Sequence, residues 1–451
     1  TDNGLPRIID YACGAGHFLT EAVEAINTLR GADLEDKGVN EWVREHIVGV
    51  EKDYRLARVS KISLFMNGAG EGNIIFGDGL ENYPEKGIKN ETFDILVANP
   101  PYSVSAFKAH LKLKNNDFRI LNNISNDGSE IETLFVERIA QVLKPNGLAA
   151  IVLPSSILNN GSGSYIAASE ELLQNFRIRA IVCFGGNTFG ATNTTTVTLF
   201  LEKYNEPPRF ANLQKDIVDG IMKGGVSGEW EDDKVIEAYV SMQDVAIEDY
   251  LRFVKRELPY EDIVASEYLK QYFDAFEQKP IKIPRNLTDE QEYEFRRSKF
   301  FDYALSIEKD KLFYFCLAYG QTTLIVNAPS DNNEQKEFLG YSWSNRKGNE
   351  GIKIDKPGGC LYNDNDRTAR GTISCAIRNT FNNMTTKLGE DINKYIEYYE
   401  LPQLLDFSRV EFDKSIRTTG AKKITIESKF DIIKLSDVAD VEKGSSITSS
   451  Q

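Results

Sequence analysis

The fold is decided by residues 7–18, which read RIIDYACGAGHF. The run begins with short, strand-forming apolar residues and passes into the small-residue turn Cys13-Gly14-Ala15-Gly16. A helical pattern of apolar residues then continues to Leu29. We therefore predict a strand, a tight glycine turn and a helix in direct succession.

The same alternation recurs over the first two hundred residues. Further strands are predicted at 47–51, 73–77, 93–98, 148–153, 178–184 and 194–201, with helices at 54–67 and 131–143. Strands that alternate with helices predict a parallel, doubly wound, Rossmann-like α/β sheet whose ligand crevice lies at the carboxyl ends of the strands.

Composition excludes several classes of protein. The 451 residues carry a net charge of −15, which disfavours nonspecific nucleic-acid binding, so a DNA function would need a local basic surface, a partner or further parts of a longer polypeptide. Five cysteines and three histidines show no metal-ligand spacing, which argues against a zinc site or a disulfide framework and fits a reducing cytoplasm. No apolar run is long enough to span a bilayer, so we predict no membrane association.

Punctuation along the chain predicts three parts. Residues 1–205 form the α/β domain, and residues 206–429, which begin at a Pro-Pro pair and are acidic and largely helical in pattern, form a helical or mixed extension. Residues 430–451 resemble the opening of a further domain. The chain begins at Thr1, a few residues before a strand, and we expect it to be a piece of a longer polypeptide.

The charge beside the glycine turn indicates which ligand it holds. Asp10 stands immediately before the turn, and Leu19 replaces the third glycine of the dinucleotide fingerprint. A carboxylate there would repel a pyrophosphate but suits a ligand with an ammonium group, such as the methionine end of S-adenosylmethionine. Glu51 and Asp78 end the next two predicted strands, where they could accept hydrogen bonds from a ribose and an adenine amino group. The alternative is that these acids are ordinary helix caps or loop residues.

Asn99-Pro100-Pro101-Tyr102 follows the fourth strand directly. Two prolines hold the backbone extended, so the Asn99 side-chain oxygen and the Pro100 carbonyl can both face one amino group. Two accepted hydrogen bonds would draw a weakly nucleophilic exocyclic amine toward tetrahedral geometry, and Tyr102 offers a flat face for a planar base. A simple Pro-Pro turn is the alternative.

These two motifs carry a family resemblance. The pattern D-x-A-C-G-A-G-x-F followed by N-P-P-Y resembles the DNA methyltransferases that modify adenine at N6, in their γ order. It is most similar to methylation subunits of type I restriction–modification systems and to fused type IIG enzymes. The resemblance is strong over residues 5–203 and weaker over 311–381, where residues 340–348 resemble a segment of fused enzymes of this kind. Residues 434–451 resemble the start of a target-recognition domain.

The resemblance implies a site, a cofactor and partners. It implies S-adenosylmethionine as cofactor, no metal, DNA as substrate, and a specificity and a restriction subunit as further partners. It also implies a flipped adenine held between Tyr102 and a second aromatic, for which Phe189 is the candidate and an ordinary core phenylalanine the alternative. The predicted cofactor-binding residues are Asp10, Ala12, Cys13, Gly14, Gly16, Phe18, Glu51, Lys52, Asp78 and Gly79.

The segment after Tyr102 is basic in an acidic chain. We predict a flexible loop whose DNA-contact candidates are Lys108, Lys112, Lys114 and Arg119, with a merely solvated loop as the alternative. Three other functions stay open: methylation of RNA bases or of protein glutamine, which share N-P-P-Y; a DNA-binding scaffold without turnover; and, remotely, a nicotinamide oxidoreductase.

Overall fold

The computed structural model describes residues 4–31, 40–70, 72–186, 188, 194–223, 231–344 and 351–420. The strands assigned within these residues are β1 Ile8–Asp10, β2 Ile47–Glu51, β3 Asn73–Phe76, β4 Phe93–Ala98, β5 Leu143–Pro154, β6 Phe176–Phe184, β7 Thr196–Lys203, β8 Thr322–Asn327, β9 Tyr341–Ser344, β10 Gly351–Ile354 and β11 Ile396–Glu400. Nine of them form one sheet in the order β11-β8-β6-β7-β5-β4-β1-β2-β3, and β9 pairs with β10 separately.

Helices cover both faces of this sheet. They are α1 His17–Arg30, α2 Val43–His46, α3 Tyr54–Met66, α4 Ile131–Val142, α5 Ser156–Asn159, α6 Gly163–Asn175, α7 Pro207–Met222, α8 Glu231–Met242, α9 Ile247–Val254, α10 Tyr260–Ala265, α11 Glu267–Glu277, α12 Asp289–Ala318, α13 Asn332–Leu339, α14 Ile373–Thr380 and α15 Glu390–Asn393. Neighbouring strand residues point to opposite faces, so Ile8 packs with Leu19 of α1 and Leu64 of α3, whereas Ile9 packs with Leu134 of α4. The predicted doubly wound α/β class is confirmed.

The direction of one strand differs from the prediction. β1 to β5 are parallel, but β7 runs antiparallel to both β5 and β6, so the sheet is mixed and the prediction of a parallel sheet is wrong there. The reason is the connection. β6 and β7 are joined by residues 185–195, which is shorter than the dozen or so residues that a parallel crossover requires.

The 206–429 extension takes part in the same sheet. β8 pairs in parallel with β6, with Ala180 opposite Leu324, and β11 pairs antiparallel with β8. The sheet therefore continues across the limit predicted at residue 205. The described residues up to Thr419 form one compact unit. The predicted further domain at 430–451 lies outside the described residues.

The helical part of the extension encloses a polar cluster. Glu308 of α12 is fully buried, and its carboxylate accepts hydrogen bonds from the hydroxyls of Tyr239, Tyr250, Tyr268 and Tyr272. Lys311, also fully buried, lies 4.0 Å from this carboxylate. Burial lowers the pKa of Lys311 to about 8, although the charge of Glu308 opposes the shift. The cluster ties α8, α9, α11 and α12 together.

No helix in the described part of the chain is long and apolar enough to cross a membrane.

Candidate functional site

The glycine turn is tied to the strand beside it. Cys13 N donates to Val50 O of β2 at 3.0 Å, Gly14 N donates to Glu51 Oε2 at 2.8 Å, and Ala12 N donates to Asp10 Oδ1 at 3.0 Å. The parallel pairing of β1 with β2 places these groups side by side at the carboxyl edge of the sheet. The turn is therefore a rigid loop whose backbone N–H groups are oriented by two carboxylates.

Two of the predicted glycines are required by close packing. Gly16, the N-cap of α1, has φ of 88°, and a Cβ there would lie 2.5 Å from Ser60 Oγ on α3. A Cβ on Gly79 would lie 1.9 Å from the Tyr11 carbonyl oxygen. By contrast, a Cβ on Gly14 would have no heavy atom within 4 Å, so the space in front of the turn is open.

Asp10 is a buried carboxylate with an unusual pKa. The residue is 1% exposed, and burial raises its pKa to about 7; the hydrogen bond from Ala12 N opposes this shift and the charge of Glu51 adds to it. Within the described residues no lysine or arginine forms an ion pair with Asp10. A ligand that brings a positive charge to this turn would therefore stabilise the ionised carboxylate.

The other two predicted acids already have partners. Glu51 accepts from Gly14 N and, through Oε1, from Asp53 N at 2.7 Å. Asp78 lies two residues beyond β3, accepts from Leu80 N at 3.1 Å, and pairs with Lys52 at 2.7 Å. Each carboxylate retains lone pairs for a ligand hydroxyl or amine. The predicted Lys52 thus bridges the ends of β2 and β3, and Phe18 is 41% exposed on the first turn of α1.

The Asn-Pro-Pro-Tyr loop begins one residue after β4, and β4 neighbours β1 in the sheet. Because β1 and β4 are parallel neighbours ~4.8 Å apart, the loop and the glycine turn lie side by side at the carboxyl edge of the sheet. The Tyr102 hydroxyl donates to Asn99 Oδ1, the oxygen predicted to accept from an amino group. Burial, reinforced by the charge of Glu132, raises the pKa of Tyr102 well above its ordinary value, so this hydroxyl stays protonated.

Sequence reasoning missed the group that anchors this loop. Glu132 on the first turn of α4 is fully buried; its Oε2 accepts from Ser103 N at 3.0 Å and its Oε1 accepts from the Tyr165 hydroxyl at 2.7 Å. Ser103 has φ of 50°, a conformation that costs a non-glycine residue energy and that the Glu132 bond stabilises. A charged residue inside the apolar pattern of 131–143 was the available signal.

A second missed residue supports the cofactor side. Arg138 of α4 is fully buried and donates from Nε to Gly79 O at 3.1 Å and from Nη2 to Glu81 O at 2.7 Å. Burial lowers its pKa to about 10, against the raising effect of Tyr11 and Glu81. Arg138 thus holds the backbone of residues 79–81, which follow β3, in place.

The basic segment after Tyr102 is packed, which corrects the prediction of a flexible loop. It contains two 3-10 turns and buried apolar residues such as Phe107 and Phe118. Lys108 Nζ donates to the carbonyls of Leu121 and Ile124 at 3.0 and 2.8 Å. These two hydrogen bonds connect the two ends of the segment and stabilise its packing.

The four DNA-contact candidates therefore fall into two pairs. Arg119 forms ion pairs with the buried carboxylates of Glu137 and Glu171, so it and Lys108 both help to hold the segment in place, and their DNA contacts remain predictions. Lys112 and Lys114 are exposed.

The loop predicted to carry the second aromatic is held by the extension. Tyr341 donates to Thr188 O at 3.0 Å, and Gln335 Nε2 donates to Gly186 O at 3.3 Å. This loop starts at the carboxyl end of β6, on the same edge as the two motifs, because β6 is parallel to β5. Phe189 itself lies outside the described residues.

Fold and site together define a doubly wound α/β protein with an acid-flanked glycine turn and a neighbouring Asn-Pro-Pro-Tyr loop. The chain belongs to the N-6 DNA methylase family, whose sequence profile matches residues 2–270, more than half of its length. The predicted family resemblance is confirmed.

Individual relatives are longer than this chain and share less than a third of its residues over the matched segments. The chain is 25% identical over 249 residues to the type II restriction enzyme and methyltransferase RM.Eco57I of Escherichia coli, covering 44% of this chain and 25% of that protein. It is 29% identical over 161 residues to the MjaIX methylase subunit of a type I restriction enzyme of Methanocaldococcus jannaschii, covering 34% and 26%. The crystal structure of the EcoKI M protein, from a type I enzyme, matches with 21% identity, TM-score 0.37 and coverage of 44% and 40%. The chain thus spans about a quarter of the length of these two curated relatives.

Proposed function

We propose that this chain is the catalytic part of a restriction–modification enzyme that transfers a methyl group from S-adenosylmethionine to N6 of adenine in DNA. The observation that carries the proposal is the Asn-Pro-Pro-Tyr loop beside the acid-flanked glycine turn at one edge of the sheet. Membership in the N-6 DNA methylase family supports it.

The cofactor half follows from charge and space. The open side of Gly14 and the uncompensated carboxylate of Asp10 fit a cationic ligand. Asp10 would stabilise the positive end of the cofactor, Glu51 would accept from its ribose, and Asp78 would accept from its adenine once Lys52 yields. When bound, S-adenosylmethionine supplies an electrophilic methyl group.

The chain's own residues orient the amine. Asn99 Oδ1 and the Pro100 carbonyl accept from the two N6 hydrogens, which localises the lone pair on nitrogen and aims it away from the ring. In the structure Tyr102 donates to Asn99 Oδ1, so the incoming amine replaces that hydroxyl as donor. Tyr102 then stacks on the base. Pro101 completes the extended turn, and the N6 proton released after transfer passes to solvent.

The DNA backbone and partner subunits complete the proposal. Lys112 and Lys114, exposed on the loop that follows Tyr102, are the proposed phosphate contacts. Phe189 remains the proposed second aromatic. A specificity subunit and a restriction subunit are the proposed partners, by analogy with the type I relative.

The test is genome-wide methylation. The gene that encodes this chain, with its neighbouring genes, is expressed in a methylation-deficient bacterial host, and N6-methyladenine is mapped. We expect methylation at one sequence motif, its loss in Asn99→Ala, and its retention in Asn122→Ala, a matched exposed asparagine of the same loop.

Purified chain is then offered tritiated cofactor with DNA, RNA or protein. Methyl transfer only to RNA or to protein glutamine would select one of the alternative substrates. Loss of cofactor binding in Asn99→Ala would contradict the role given to that residue.

A further inference from the structure

One side of α3 exposes a row of apolar residues. Val59, Ile62 and Met66 are 45%, 59% and 75% exposed, whereas Leu64 on the opposite side is completely buried. Their spacing of three and four residues places them on one stripe of the helix, the pattern by which one helix packs against another. A row of large exposed apolar side chains marks an interaction surface in a protein that is otherwise highly charged.

The stripe has a basic flank. Phe65, 67% exposed, and Lys61 lie on the side of α3 that faces β3 and line a groove of about 600 Å³. Arg44 and Lys86 also line this groove, and among the described residues that line it Glu85 is the acidic one. Within the described residues none of these three cations is ion-paired to a carboxylate. The described lining of the groove therefore carries three basic side chains and one acidic one, although the whole chain carries a charge of −15.

We propose that this α3 surface, made of Val59, Ile62, Phe65 and Met66 with the basic flank of Arg44, Lys61 and Lys86, binds an acidic amphipathic helix of a partner protein. The partner's apolar residues pack along the stripe at matching spacing, and its carboxylates face the groove. Burial of the stripe supplies the affinity, and the charge on one flank sets the orientation of the bound helix.

Charge favours this occupant over others. Equivalent flanks meet when two identical helices pack antiparallel, so a second copy in that arrangement would set basic flank against basic flank. DNA offers phosphates to the flank but nothing apolar for Val59, Ile62 and Met66. The net charge of −15 opposes approach to an anionic lipid surface.

The test measures binding of a designed peptide by fluorescence anisotropy. The probe is a labelled helical peptide of about five turns with leucines at the stripe spacing and glutamates on one flank; the comparison peptide has lysines in place of the glutamates. We expect the glutamate peptide to bind the 451-residue chain at least about tenfold more tightly than the lysine peptide. Lys61→Glu should reduce the ratio between the affinities for the glutamate and the lysine peptide. Ile62→Glu should weaken binding of the glutamate peptide about tenfold.

The matched control is Leu29→Glu, which changes a 76% exposed leucine outside the surface and should leave binding unchanged. Because Ile62 is exposed, its variant should fold normally, which circular dichroism checks. Equal binding to wild type and Ile62→Glu would overturn the proposal. So would equal affinity for both peptides, or self-association in sedimentation velocity that Ile62→Glu abolishes. Binding to anionic vesicles or DNA that depends on Ile62 would overturn it as well.

Discussion

Asp10→Asn tests whether ionisation of the buried carboxylate before the glycine turn destabilises the folded chain. Asparagine keeps the oxygen that accepts from Ala12 N and has nearly the same shape, but it cannot ionise. Because burial raises the pKa of Asp10 to about 7, the folded chain binds this proton more tightly than the unfolded chain does. The stability that depends on Asp10 therefore falls as pH rises from about 4 to about 7.

The size of the effect follows from the shift. The pKa moves from 3.8 to about 7, and each unit corresponds to ~1.4 kcal/mol, so the ionised carboxylate costs the folded chain about 4 kcal/mol. At about pH 8 we expect Asp10→Asn to be more stable than wild type by up to about 4 kcal/mol. At about pH 5.5 wild-type Asp10 is still largely protonated in the folded chain, and the gain should shrink to about 2 kcal/mol.

The assay is urea unfolding of both chains across this pH range, followed by circular dichroism. Asp53→Asn is the matched control. Hydrogen bonds from Leu56 N and Arg55 N lower the pKa of the exposed Asp53 carboxyl, so its replacement should never stabilise the chain as pH rises. A stability difference between wild type and Asp10→Asn that stays constant with pH would refute the reasoning. We also expect Asp10→Asn to weaken S-adenosylmethionine binding at least about tenfold by calorimetry.

Three other predictions concern the supports of the site. Glu132→Gln should lower kcat for methyl transfer about tenfold while cofactor affinity stays within about twofold, because it loosens the loop after Tyr102 and leaves the glycine turn intact; parallel kinetics and calorimetry check this. Replacing Lys112 and Lys114 by alanine should reduce the slope of log affinity for DNA against log salt concentration by about two, because two phosphate contacts are lost. Lys108→Met should leave this slope unchanged and lower the free energy of unfolding by ~1–3 kcal/mol. Arg138→Met should cost about 3 kcal/mol in urea unfolding, since it leaves two buried carbonyls without donors; a loss below about 1 kcal/mol would contradict its structural role.

The order of strands and helices in the first two hundred residues was predictable because each strand is a short apolar run bounded by turn residues. The runs at 47–51 and 93–98 coincide with β2 and β4, and the helix that follows the glycine turn ends at Arg30, one residue from its predicted end. Local periodicity sets these elements, so a local pattern reveals them.

Strand direction and long-range pairing were not predictable in the same way. An apolar run reads identically in both directions, so the antiparallel course of β7 does not show in its residues. The second partner of β6, after β7, lies more than a hundred residues further on, in β8, and no pattern within either strand identifies the other. Such contacts are fixed by the packing of the whole sheet.

In the candidate site, too, residues in local motifs could be predicted, whereas residues that act on distant parts of the chain could not. Asp10, Glu51 and Asn99 could be proposed as site residues from the sequence because in each case a motif coincides with a strand end, and their roles remain predictions. Glu132 and Arg138 act on backbone groups that are distant along the chain, and only the fold shows what they hold. For Lys108 the charge suggested a surface role, and only the fold shows that its ammonium donates to the backbone carbonyls of Leu121 and Ile124.

The continuation of the sheet past residue 205 bears on where this chain could recombine with another during evolution. A recombination event at that point would strip β8 from β6 and leave a long edge open to pairing with other chains. A crossover placed after β11, beyond Glu400, keeps all nine strands together. The α/β part and the extension up to Glu400 are therefore expected to be inherited as one block.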